Sequence, residues 1–144
     1  METAIVTSLI ALLGSFLVAV LTYWSTKHRE REAAWRKEKL AYYMAFIESL
    51  SGIVDGDASP EGHKAYAKTS NNLQLFAPQA VILALNEYRK ENSISNVNRT
   101  PEEHDRLLAK LLLAIRRDIG VSPQDEPDTF SPILWASGTN RNKT

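Results

Sequence analysis

Three histidines, His28, His63 and His104, are the first residues to weigh for chemistry. Imidazole is the side chain best suited to act as a base or a metal ligand near neutral pH. The three lie in separate segments, and no two stand at a metal-binding spacing. One has an acidic neighbour, in the pair His104-Asp105. An adjacent His-Asp pair can ligate a metal for phosphoester hydrolysis. That chemistry needs further histidines and an aspartate on other helices, and His28 sits beside an apolar run. Glu102, Glu103 and Asp105 are better explained as acidic residues in the first turn of a helix, where they meet the positive end of its dipole. The chain has no cysteine, which excludes disulfides and thiolate metal sites and is compatible with the cytoplasm. It carries no Ser-His-Asp arrangement, glycine-rich phosphate loop or Walker pattern. The reading is of a non-enzyme, with no catalytic residue, no metal ligand set and no cofactor.

Seventeen basic and seventeen acidic side chains in 144 residues give zero formal charge, which offers no reason to invoke nucleic acid. The distribution says more. Between positions 27 and 39 six basic residues, Lys27, Arg29, Arg31, Arg36, Lys37 and Lys39, face three acidic ones, Glu30, Glu32 and Glu38. This basic excess lies directly beside residues 4–24, AIVTSLIALLGSFLVAVLTYW, which no charge interrupts. At 1.5 Å rise per residue, about 20 helical residues cross a hydrocarbon core of about 30 Å. Tyr23 and Trp24 close the run, where amphipathic rings favour the interface. Thr7, Ser8, Ser15 and Thr22 are tolerable, because a helical hydroxyl can bond a carbonyl one turn back. A cleaved signal peptide fits less well: the start carries Glu2 rather than a basic residue, and no A-x-A pattern precedes a cut. A buried core helix would show a polar face, and this segment shows none of strength. The basic flank predicts residues 25–144 in the cytoplasm and the N-terminus outside, in an inner (plasma) membrane. The tripeptides beginning at Asn98 and Asn142 match the glycosylation sequon, which is silent on a cytoplasmic domain.

The elements beyond the anchor read as helices. Leu40, Tyr43, Met44, Ile47, Leu50 and Val54 recur at spacings of three and four, extending the first helix as an amphipathic one. Asp55-Gly56-Asp57 breaks it. Ser59-Pro60-Glu61 starts a second helix, with Ser59 as N-cap, and Ala65, Thr69, Leu73 and Phe76 as its apolar face. Pro78 opens a third, to about Glu91, with Val81, Ile82, Leu85 and Tyr88. Thr100-Pro101-Glu102-Glu103 predicts a capping box in which Thr100 takes the Glu103 amide and Glu103 the Thr100 amide. The fourth helix carries Leu107, Leu108, Leu111, Leu112, Ile115 and Ile119, and ends with Arg116, Arg117 and Gly120. No β pattern or internal repeat is present. The fold class is all-α: an N-terminal transmembrane helix (1–26) continuing into a small cytoplasmic helical bundle (27–121), then a disordered, proline-rich tail (122–144).

Leu75-Phe76-Ala77-Pro78 with Val81, Ala84 and Leu85, followed by residues 111–120, LLLAIRRDIG, resembles a broad group of uncharacterised bacterial single-pass membrane proteins. The resemblance covers the chain up to Val121 and implies topology and fold, not activity.

Five features suggest contacts. Thr7, Ala11, Ser15 and Ala19 fall on one face of the anchor, where small residues let two helices approach as a homo-oligomer; ordinary membrane-helix composition explains them equally simply. The stripe from Leu40 to Val54 suits packing in its own bundle or a short coiled coil. The cluster Lys27–Lys39 would attract anionic head groups of the bilayer, by about 1 kcal/mol per residue, although topology alone accounts for it. Arg116 and Arg117 at the end of the fourth helix are candidate contacts for a protein partner. The apolar island Ile133-Leu134-Trp135 either docks on such a partner or folds back on its own domain. Together these predict a membrane-tethered helical interaction or scaffold module. The alternatives are a small membrane-active effector working through oligomerised spans, and a subunit of a multi-chain enzyme.

Overall fold

The computed structural model describes residues 2–54, 56–93 and 95–135, and the Asn142 sequon lies outside them. Among these residues the structure is all-helical, with α1 (Glu2–Ser51), α2 (Pro60–Phe76), α3 (Gln79–Glu91) and α4 (Pro101–Asp118) in chain order. The chain divides into two units, residues 1–38 and 39–144.

The first unit is helical throughout its described residues, and from position 3 onward every side chain in it is exposed. This apolar helix is long enough to cross a membrane, and none of its apolar window is buried against the rest of the chain. Its hydroxyls turn back onto their own backbone: Thr7 Oγ1 donates to the Thr3 carbonyl and Ser15 Oγ to the Leu12 carbonyl, both at 2.8 Å.

The second unit closes one core from all four helices. Phe46 and Leu50 of α1, Leu73 of α2, Val81 and Leu85 of α3 and Leu111 of α4 are fully buried. The α3–α4 pair is the most intimate. The α1 segment reaches its neighbours through long side chains: Phe46 packs on Tyr66 of α2, with ring centroids 5.9 Å apart, and Tyr43 meets Phe76 edge-on at the same separation. The α1 face differs from the expected stripe. Tyr43, Phe46 and Leu50 point inward, while Leu40 and Met44 are 43% and 55% exposed. Phe46, absent from the stripe read in the sequence, is central. On α2 the expected Ala65 is exposed, and Ser70 is buried instead.

Local signals set the ends. Ser59 caps α2 by accepting the Gly62 amide at 3.0 Å, with Pro60 at the first helical position. Thr100 accepts the Glu103 amide at 3.2 Å. The expected reciprocal bond is replaced: the Thr100 amide goes to Glu91 Oε1 at 3.1 Å, and Glu103 grips Arg106 with both oxygens. Glu91 also accepts from Asn96 at 2.8 Å, so one carboxylate at the end of α3 organises the loop into α4. At the far end Gly120 adopts φ 73°. Its amide reaches the Arg117 carbonyl at 3.1 Å, and the Val121 amide reaches the Arg116 carbonyl at 3.0 Å. That is a Schellman ending, which favours glycine at the left-handed position.

Gly62 stands in the first turn of α2, where alanine would favour the helix by about 1 kcal/mol. The reason is contact: a Cβ there would collide with the carbonyl oxygen of Gly52. The α1–α2 connection is thus closed by backbone against backbone. Gly62→Ala is expected to destabilise the unit by about 1–3 kcal/mol through overpacking, opposite in sign to helix propensity. A separate pair checks the rotation of α1. Phe46→Ala should cost about 3–5 kcal/mol, and Met44→Ala under about 0.5 kcal/mol, as for a surface change. Urea unfolding of the detergent-solubilised full chain, followed by fluorescence, reads all three.

Candidate functional site

Two concavities in the helical unit merit a functional reading. The first, about 580 Å³, lies between the end of α1, α3, the start of α4 and residues 131–134 of the tail. The Thr100 cap starts α4 so that His104 falls one turn in. Its ring lies 5.3 Å from that of Tyr88 on α3, centroid to centroid. His104 Nε2 is 3.1 Å from the Tyr88 hydroxyl, and Nδ1 is 3.1 Å from Asp105 Oδ1. With Nδ1 protonated and donating to Asp105, Nε2 accepts from the phenol; which nitrogen carries the proton follows from these partners. Burial, reinforced by Tyr66 and Asp105, pushes the Tyr88 phenol well above its ordinary range. A phenol held neutral donates hydrogen bonds and is a poor nucleophile. Both ring nitrogens and the phenol thus find their partners inside the cluster, which ties the start of α4 to α3 and forms part of the cleft wall. Among the described residues no group of three or more His, Asp or Glu side chains is placed to bind a metal ion.

The second concavity is an apolar groove of about 500 Å³ between α1 and α4. Leu40, Met44 and Ile47 form one wall, and Leu112, Ile115 and Ile119 the other; Phe130 and Pro132 of the tail reach into it. Above the groove, Asp118 in the last turn of α4 accepts from Lys39 Nζ at 3.1 Å and from the Tyr43 hydroxyl at 2.6 Å. Burial first, and the Asp118 bond second, hold the Tyr43 phenol in its neutral form far above its usual range.

The residues marked in the sequence fall as follows. Thr7, Ala11, Ser15 and Ala19 are exposed on α1, and no described residue of the chain covers them. Lys27 pairs with Glu30 at 2.9 Å, an exposed pair worth under about 1 kcal/mol. Arg29, Arg31, Arg36 and Lys37 are exposed. Lys39 differs from the rest of its cluster: its side chain is only 17% exposed and its ammonium is paired with Asp118, so its charge serves the helical unit. Arg116 is likewise engaged within the chain. It donates through Nε and Nη2 to the two oxygens of Asp125, at 2.6 and 2.9 Å, and its guanidinium lies 5.5 Å from the Phe130 ring centroid. Arg117 is exposed. In the apolar island, Leu134 packs against the core while Ile133 and Trp135 are 73% and 85% exposed. The stretch 122–135, assigned from its composition to a disordered tail, forms no helix or strand, yet lies along the unit through these contacts.

Sequence reasoning did not single out Asp125, Phe130 or Pro132, nor the pairing of Asp118 with Lys39. One signal for the tail was present: Phe130, Pro132 and Leu134 stand two apart, the period of an extended segment with one covered face. Comparison with protein-family models, curated proteins and solved structures finds no match to this chain.

The Arg116 guanidinium holds the Asp125 carboxyl below the usual carboxylate range. A carboxyl depressed by folding contributes its stabilisation above the unfolded value, about pH 4, and loses it as pH falls through the folded value. The Arg116 Nε–H resonance of the full chain should therefore hold its hydrogen-bonded shift at pH 5 and move toward the free value as acid is added below pH 4. Asp125→Asn should abolish that movement; a titration that persists in the variant would assign it to another carboxylate.

Proposed function

We propose that the chain is a single-pass inner-membrane protein. In this reading residues 4–24 span the bilayer, the N-terminus lies outside, and the helical unit stands on the cytoplasmic face as a tethered, non-enzymatic interaction module. The observation that carries the membrane reading is the exposure of the apolar run. Thirteen large hydrophobic side chains between Ile5 and Trp24 are exposed on α1. Burial of each would contribute about 1.5–3 kcal/mol, so the sum is on the order of 20–40 kcal/mol. That is the gross transfer term left unrealised while these side chains face water. Such a helix in water is untenable; lipid supplies the missing contact area. The basic excess after Trp24 supports the orientation. The module reading draws on the apolar groove between α1 and α4.

The absence of native cysteine makes topology directly measurable. Thr3→Cys should react with a membrane-impermeant maleimide added to intact bacterial cells, and Lys68→Cys only after the membrane is opened. Labelling in the reverse order would overturn the orientation, and recovery of the chain in the soluble fraction would overturn the anchor. For the module, the full chain extracted gently from its membrane should sediment with a protein in fixed ratio; a lone monomer would count against it.

A further inference from the structure

The end of the tail is seated on the helical unit by alternate residues. Phe130, Pro132 and Leu134 are half-buried, and Ser131, Ile133 and Trp135 between them are exposed. Phe130 and Pro132 enter the groove between α1 and α4, while Pro132 and Leu134 border the cleft beside His104. Five residues ahead of Phe130, Asp125 is gripped by both arms of Arg116. Bidentate geometry fixes orientation as well as charge, and the same guanidinium lies over the Phe130 ring. One surface therefore reads an acidic residue, an aromatic, a proline and an aliphatic along an extended chain.

The tail does not fill that surface. Leu40 and Met44, on the α1 wall, stay largely exposed beside it. Nor is the tail tightly held. Its backbone makes only short turns, such as the Phe130 amide to the Glu126 carbonyl at 3.0 Å. Ordering such a segment has an entropic cost that a single ion pair and a few half-buried side chains offset weakly. An incomplete, weakly held occupant can be displaced by a longer one of the same chemistry.

We propose that the face formed by Arg116 and the α1–α4 groove is a docking site for an extended segment of a partner protein, with an acidic residue followed by apolar side chains at alternate positions. The tail of this chain occupies the site in cis and holds it closed. The inference rests on the interaction-module reading and names the surface it uses. If the chain keeps a stoichiometric partner while the peptide below fails to bind, this site is wrong and the module stands. If the peptide binds but no partner is found, the module reading fails and the groove is only the seat of the chain's own tail.

The test uses the full chain in detergent and a fluorescent peptide of residues 124–135, QDEPDTFSPILW, followed by anisotropy. Two variants loosen the tail: Phe130→Ser with Leu134→Ser, which removes seated side chains, and Asp125→Asn, which weakens the latch and leaves the apolar contacts intact. Apparent affinity scales with the fraction of open sites, so both should bind the peptide about tenfold or more tightly than the native chain. A peptide with serine at 130, 132 and 134 should lose binding; one with serine at 133 and 135 should keep it. Equal affinity for native chain and variants, indifference to which face of the peptide is changed, or no binding at all would overturn the proposal. Self-association of the native chain, abolished by the Phe130 and Leu134 substitutions, would also overturn it, giving the groove to the tail of a second copy.

Discussion

The arrangement of the helical unit depends on one carboxylate. Asp118 sits in the last turn of α4, the negative end of the helix dipole, where an acidic side chain is unfavourable unless cations or donors answer it. Lys39 and the Tyr43 hydroxyl both do. Because these are one turn apart on α1, satisfying Asp118 fixes how α1 is rotated about its axis. Positions 39, 43, 46 and 50 follow the same three-and-four spacing, so the rotation that presents Lys39 and Tyr43 to Asp118 also buries Phe46 and Leu50. It leaves Leu40 and Met44 turned aside, where they become the wall of the groove instead of the core. The groove wall and the Asp118 contacts thus belong to one and the same rotation of α1.

That constraint also explains what could be read in the residues alone. Helix ends were legible, because their determinants are local. Ser59-Pro60, Thr100-Pro101 and Gly120 act through backbone amides and carbonyls within a few positions, and each works where the sequence places it. Rotation about a helix axis was not legible. Both faces of α1 carry large apolar residues, and choosing between Met44 and Phe46 needs Asp118, more than seventy positions away. The second half of the capping box failed for the same reason. Glu103 could reach back to Thr100, but Arg106 one turn ahead competes for it, and Glu91, at the end of the preceding helix, takes the amide.

The apolar run of α1 and the tail differ in what governs them. Residues 4–24 are governed by solvent transfer, a sum over many side chains that composition alone conveys. Residues 122–135 are governed by a few specific contacts, which composition conceals. Three prolines and scattered polar residues mark that stretch as poor in helix or strand, and it forms neither. Poverty in secondary structure is a separate matter from lack of a partner. An extended segment needs only alternate apolar side chains and a surface that accepts them, and proline suits it because its fixed φ lowers the entropy lost on docking.

Partner contact and fold-back make different demands on the Ile133-Leu134-Trp135 island. The alternation puts Leu134 on the unit and leaves Ile133 and Trp135 outward, so the same three residues cannot all serve one surface. Burying Ile133 and Trp135 on the unit would require a register slip that lifts Phe130, Pro132 and Leu134 out. A segment whose two faces are both apolar at its end has two competing ways to hide them, and only one is satisfied at a time. The Arg116–Asp125 pair lies outside the alternating stretch and favours the register that turns Leu134 inward. A charge pair sets the register of an apolar contact here, as Asp118 sets the rotation of α1: in both places the hydrophobic surface supplies the area, and one carboxylate chooses which part of it is used.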